Sequence, residues 1–148
     1  MFKQATVEDV SNRRITRLHG RIVVVTHYYP RYLQKKLIDE YHKSLAPTRQ
    51  LLEEFKAAEE RLGDHDRGFE EIDYESKFWL SEEGFAELQR LSIEAESKTV
   101  YLVCHCSVGQ RCHREVLMVL ASTLYQAPIG KLSFSWEKFR ARLLERAP

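Results

Sequence analysis

The sequence has no long apolar run. Its longest, Ile22–Val25 and Val116–Ala121, are far too short to cross a bilayer. The opening MFKQATVEDV is polar and carries no apolar stretch of the kind a secretory signal needs. An excess of one charge is also missing: 23 basic against 22 acidic residues give a formal net charge of +1. That balance argues against sequence-independent nucleic-acid binding, so neither a membrane nor a nucleic acid is expected as partner. Two local arginine groups, Arg13, Arg14, Arg17 and Arg21 near the start and Arg140, Arg142 and Arg146 near the end, read as solvated faces. There is no Gly or Pro excess, no internal repeat and no long linker, which excludes a low-complexity chain. Only three cysteines occur, all between positions 104 and 112. They cannot form the paired, spread framework of a secreted disulfide protein, and a reducing cytoplasm is the expected location.

What is present is ordinary globular usage, 43% hydrophobic and 30% charged residues over 148 positions, enough for a single domain over 1–148 with a sizeable core. Ile22–Thr26 (IVVVT) is a β-branched run suited to a strand buried on both faces, and Thr99–Val103 (TVYLV) is a second. Leu33, Leu37, Ile38, Tyr41 and Leu45 follow helical spacing, as do Leu51, Phe55 and Leu62, with Pro47 as a break and Thr48 as an N-cap between them. Gly63–Gly68 (GDHDRG) reads as a mobile loop. Ser81 with Glu82 and Glu83 marks a helix start, with Phe85, Leu88 and Leu91 as its core face. Val116, Val119, Leu120 and Leu124 give a helix after the second strand, and Trp136, Phe139 and Leu143 another at Ser135–Leu144. The stretch Ile72–Leu80 has no clear period. Strands separated by helices predict an α/β fold in three layers, a mostly parallel sheet with helices on both faces. Ligands of such folds gather at the carboxyl ends of strands, which puts the Thr26–Arg31 and Cys104–Arg114 segments on one edge.

Chemistry concentrates in Cys104–Arg114 (CHCSVGQRCHR). Three readings compete. In the first, a glycine-containing loop running into a helix start binds a small anion, with Arg111 and Arg114 as donors, while the same field favours a thiolate at Cys106 or Cys112 with His113 beside it. In the second, Cys104, Cys106 and Cys112 with His105 or His113 hold zinc, although C-x-C followed by a lone cysteine is not the usual paired-knuckle spacing. In the third, Cys106–Arg111 (CSVGQR) resembles the C-x-x-G-x-R loop of rhodanese-type sulfurtransferases, and Cys106 would carry a persulfide. The Cys-x5-Arg phosphatase loop fits worse, because four residues separate Cys106 from Arg111.

A longer resemblance runs from Arg21 to Tyr125. Tyr29, Pro30 and Arg31 after the first strand, then Leu45, Ala46, Pro47 and Thr48, then Cys104 at a strand end and Cys112, His113 and Arg114 at a helix start stand in the order found in the YeaO-like bacterial domains of unknown function, DUF family number 488. The chain resembles that family, which implies a cytoplasmic α/β fold and supplies no activity. Cys106 departs from the family pattern, in which an acidic residue is common there.

Arg31 is expected to share an anionic ligand with Arg114, and Thr26 and His27 lie nearby, the latter a candidate acid or base. Arg49 in a helix's first turn is a mild sign of a ligand, and Tyr28, Tyr29, Tyr74 and Trp79 are candidate cleft walls. The expected ligand-binding residues are therefore Arg31, Arg111, Arg114, Thr26 and His27, and the expected catalytic ones Cys106, Cys112 and His113. No cofactor is expected. The competing class is a non-catalytic module that recognises a nucleotide or phosphorylated partner, and oligomeric state cannot be read.

Overall fold

A computed structural model describes residues 1–146. Four strands, β1 (Phe2–Thr6), β2 (Arg21–Val24), β3 (Glu40–Tyr41) and β4 (Val100–Cys104), form one sheet in the order β1-β4-β2-β3, every pair parallel. Seven α-helices accompany it among the described residues: α1 (Val7–Ser11), α2 (Arg49–Leu62), α3 (His65–Glu71), α4 (Tyr74–Lys77), α5 (Glu82–Ala95), α6 (His113–Tyr125) and α7 (Glu137–Arg146). The expected α/β architecture is the one observed, with a wholly parallel sheet. No helix among the described residues is long and apolar enough to cross a membrane.

The two faces are covered unequally. Val23, Val100 and Leu102 point to the face that buries Leu51, Phe69, Leu88, Leu91, Leu120 and Phe139 of the longer helices. Ile22, Val24 and Val103 point to the other, which is closed by Val10 of α1, Leu33 and the partly buried Leu37, Ile38 and Tyr41. Period-2 alternation along buried strands produces this split.

Two local readings are corrected and one strand is added. Leu33–Leu45 is not a helix: it holds two single 3-10 turns, Lys35–Leu37 and Lys43–Leu45, around β3. The Asp39 amide donates to the Ile22 carbonyl (2.9 Å) and its carboxylate accepts from the Ile22 amide (2.8 Å), so sheet pairing overrode the helical spacing. Gly63–Gly68 is mostly α3, because the Asp64 side chain accepts from the Arg67 amide (3.0 Å) and caps a helix there. Gly68 marks close packing: a Cβ on it would lie 2.8 Å from the Glu59 amide nitrogen of α2. The opening FKQAT is a strand, β1, with Phe2 and Ala5 buried on opposite faces. Thr48 and Ser81 cap α2 and α5 as expected.

Chain order explains the site. β2 runs outward to β3, and β4 returns to insert between β1 and β2, so the segments after β2 and after β4 emerge side by side at the carboxyl edge. Helix α6 is buried on nearly every side from His113 to Ala121. Any polar group at its start must therefore find a partner inside the protein.

Candidate functional site

A cavity of about 830 Å³ opens at that edge, walled by the Thr26–Tyr32 segment, by Leu52, Phe55, Lys56 and Glu59 of α2, by His65 and Phe69 of α3, and by the loop from Cys104 to His113. Its size is that of a small-molecule site. The loop turns tightly: the Gln110 amide donates to the Ser107 carbonyl (3.1 Å), the Ser107 amide to the Gln110 side chain (3.0 Å), and Gly109 sits at φ +101°, a conformation that disfavours any side chain.

The sulfurs of Cys104, Cys106 and Cys112 lie within 4.8 Å of one another. All three cysteines are free, Cys104 and Cys112 buried and Cys106 half-buried. Two imidazoles flank them. His113 Nε2 donates to the Val25 carbonyl (2.7 Å), leaving Nδ1 turned to Cys112 Sγ at 3.7 Å. His65 Nδ1 hydrogen-bonds Asp66 Oδ1 (2.9 Å) and its Nε2 lies 3.3 Å from Cys106 Sγ. Asp66 Oδ1 also accepts from the Arg111 amide (2.9 Å), so one carboxylate orients the imidazole and fixes the loop.

This packing perturbs the titrating groups. Hydrogen bonds from Cys106 and Cys112, with help from His113 and against burial, hold the Cys104 thiol well below its ordinary range. Cys106 is pushed up by hydrogen bonds with Cys104 and Cys112 and by burial. Burial would lower His113, but the charge of Cys104 and Cys112 outweighs it and carries the imidazole up to about 10. Burial and then Lys56 lower His105, while Tyr74 is raised well above its ordinary value by burial and the nearby sulfurs.

The expected ligand residues divide. Arg31 lines the cavity at an exposed position, and no ion pair holds it among the described residues. Arg111 lines the wall, pairs with Glu70 (3.0 Å) and lies over the Phe134 ring at 4.3 Å. Arg114 is fully buried and does not line the cavity: it donates to the carbonyls of Ala5 (2.6 Å), Cys106 (2.8 Å) and Ser107 (3.3 Å). Those bonds tie the loop to the end of β1 and replace the ligand contact expected from its position after Cys-His. Thr26 donates to the Tyr28 carbonyl (2.7 Å) and His27 Nδ1 to the Pro47 carbonyl (3.0 Å), so both shape the wall. Arg49 pairs with Glu53 (2.9 Å) on an exposed helix turn, and Trp79 packs on Phe85 away from the cavity lining. His105 is exposed at the rim, outside the group of converging sulfurs.

Sequence reasoning missed His65, Asp66 and Lys56, and gave Cys104 a role only as a metal ligand. Cys104 carried the one available signal, a cysteine closing a buried strand at the ligand-bearing edge. Nothing local marked His65, which is brought in by helix packing from 41 positions away.

The family model DUF488-N3a, described as the active DUF488-N3 subclade, matches residues 6–124. No curated protein and no solved structure matches the chain.

Proposed function

The chain belongs to DUF488-N3a, and from that premise we propose that its cavity takes a small anionic ligand, carrying phosphate or carboxylate, and presents it to the cysteine cluster. The observation that carries this reading is the composition of the wall: Arg31 and Lys56 line the cavity with one acid, Glu59, and with Arg111, which is paired with Glu70, while the three sulfurs converge in the same wall. Cations around a concave, partly apolar site attract an anion and fix its orientation. Helix α6 also starts without a side-chain cap at Cys112, so the positive end of its dipole adds to the field on the cavity side. Cys106, the least buried of the three, is the sulfur best placed to meet a ligand, with His65 beside it. Three unpaired cysteines suit a reducing compartment, which favours the cytoplasm.

The test is alkylation of the reduced chain by iodoacetamide near neutral pH, followed by peptide mass mapping, with and without inorganic phosphate. Cys106 is expected to be alkylated, as the accessible member of a cluster in which Cys104 holds the low thiol, and phosphate to slow it. Phosphate binding with no reaction at Cys106 would replace this reading with a non-catalytic anion-binding module. Absence of both would end it.

A further inference from the structure

We infer that Cys104, Cys106 and Cys112 hold a soft divalent metal ion of the zinc class, with one coordination position turned to the cavity. The inference goes beyond the anion reading and stands on a different observation, the convergence of the sulfurs. Zinc–sulfur bonds of about 2.3 Å in a tetrahedral arrangement separate neighbouring sulfurs by about 3.8 Å. The three Sγ atoms already lie within 4.8 Å of one another, so small rotations about the cysteine side chains close the set. Their backbones are fixed from outside the cluster. Cys104 ends β4, Cys112 stands at the N-cap of α6, and the Cys106 carbonyl is held by Arg114. A preset donor geometry of this kind lowers the entropic cost of coordination.

Each flanking imidazole has its far nitrogen engaged, His113 Nε2 on the Val25 carbonyl and His65 Nδ1 on the Asp66 carboxylate. Those bonds fix the two rings at the edge of the sulfur group, which neither joins as a ligand. The near nitrogens then face the cluster, Nδ1 of His113 beside Cys112 and Nε2 of His65 beside Cys106. No lysine or arginine side chain hydrogen-bonds any of the three sulfurs among the described residues. Three protein ligands and one position open to a cavity is the composition of a reactive rather than a purely structural zinc site. A metal there would face the ligand proposed above. Coordination is non-redox: each thiol releases its proton to solvent as its sulfur bonds the ion, and no electrons are transferred.

The experiment uses the full chain purified under reducing conditions without chelator. Elemental analysis is expected to give about one zinc per chain, and replacement by cobalt(II) to give a tetrahedral spectrum with intense sulfur-to-metal charge-transfer bands. The triple variant Cys104→Ser, Cys106→Ser, Cys112→Ser is expected to lose both. Cys106→Ser alone, at a half-buried position that should tolerate the change, is expected to weaken the charge-transfer bands while circular dichroism shows an intact fold. A wild-type chain that carries no metal and gives no charge-transfer bands with cobalt(II) overturns the inference. So does metal retained in full by the triple variant. Phosphate binding measured on zinc-loaded and stripped chain separates the two readings: zinc without phosphate binding defeats only the anion reading, and phosphate binding to a chain that takes up no metal defeats only this one.

Discussion

Among the described residues two places gather three side chains of metal-ligand type, and they are completed in opposite ways. At the β3 edge, Glu40, His42 and Glu87 lie within 4.8 Å of one another. Arg90 is placed among them, pairing with Glu40, with Glu87 at 2.6 Å and with Glu94 at 3.3 Å, while Arg21 joins Glu40 from the sheet. The guanidinium occupies the position a cation would take. At the end of β4 the three sulfurs converge as closely, but the nearest buried arginine, Arg114, turns its N–H groups to backbone carbonyls instead. The edge cluster is neutralised from within and stabilises the fold. The sulfur cluster has no arginine or lysine set into it among the described residues, only the His113 imidazole beside it. The lesson is that proximity of ligand-type groups says little until the internal cation has been looked for.

The contrast can be broken from the sulfur side first. Replacing Arg114 by Met leaves three carbonyls without donors at a fully buried position, and a loss of about 3 kcal/mol in chemical denaturation is expected, with faster alkylation of the cysteines as the loop loosens. A loss below about 1 kcal/mol would show that the loop stands without its arginine. From the other side, Arg90→Ala removes the internal cation. Because that side chain is 44% exposed, the expected loss is only about 1 to 2 kcal/mol, read by the same denaturation.

A pH series sharpens the comparison further. Burial would raise Glu40, yet hydrogen bonds from Arg90 and His42 hold it at about 2, below its ordinary 4.5. A depressed carboxylate stabilises the folded state above its unfolded pKa and loses that contribution as pH falls through the folded one. The stability difference between wild type and Glu40→Gln should therefore be constant above about pH 5 and shrink by about 1 kcal/mol towards pH 2. A difference that stays flat over that range would show that the edge network does not depend on this charge. The smallest effect belongs to a pair outside both clusters. Arg49→Ala breaks only the exposed bridge to Glu53 and should leave the melting temperature unchanged within measurement error.

What could be read from the sequence was whatever is settled within a few residues. The β-branched run at Ile22 and the TVYLV run named two central strands, and Thr48 and Ser81 announced α2 and α5, because buried strands and caps are local signals. β1 escaped notice because FKQAT lacks the β-branched apolar run of the central strands, as suits its place at the sheet edge. The spacing from Leu33 to Leu45 misled because the decisive contacts, Asp39 on Ile22 and Tyr41 beside Val24, are long-range. The site divided in the same way. Clustering marked the three cysteines, and topology placed them beside the Thr26–Arg31 segment. Arg114 was misjudged because its real partners, Ala5 and Cys106, become neighbours only in the folded chain.

Asp66 Oδ1 is the joint between α3 and the cysteine loop, since the same oxygen receives His65 and the Arg111 amide. Drawing the loop outward at Arg111 would also unseat the carboxylate that keeps His65 turned towards Cys106. The width of the entrance and the company kept by the most accessible sulfur are in that sense geared to each other: a ligand large enough to push the rim apart would change the surroundings of Cys106 as it entered.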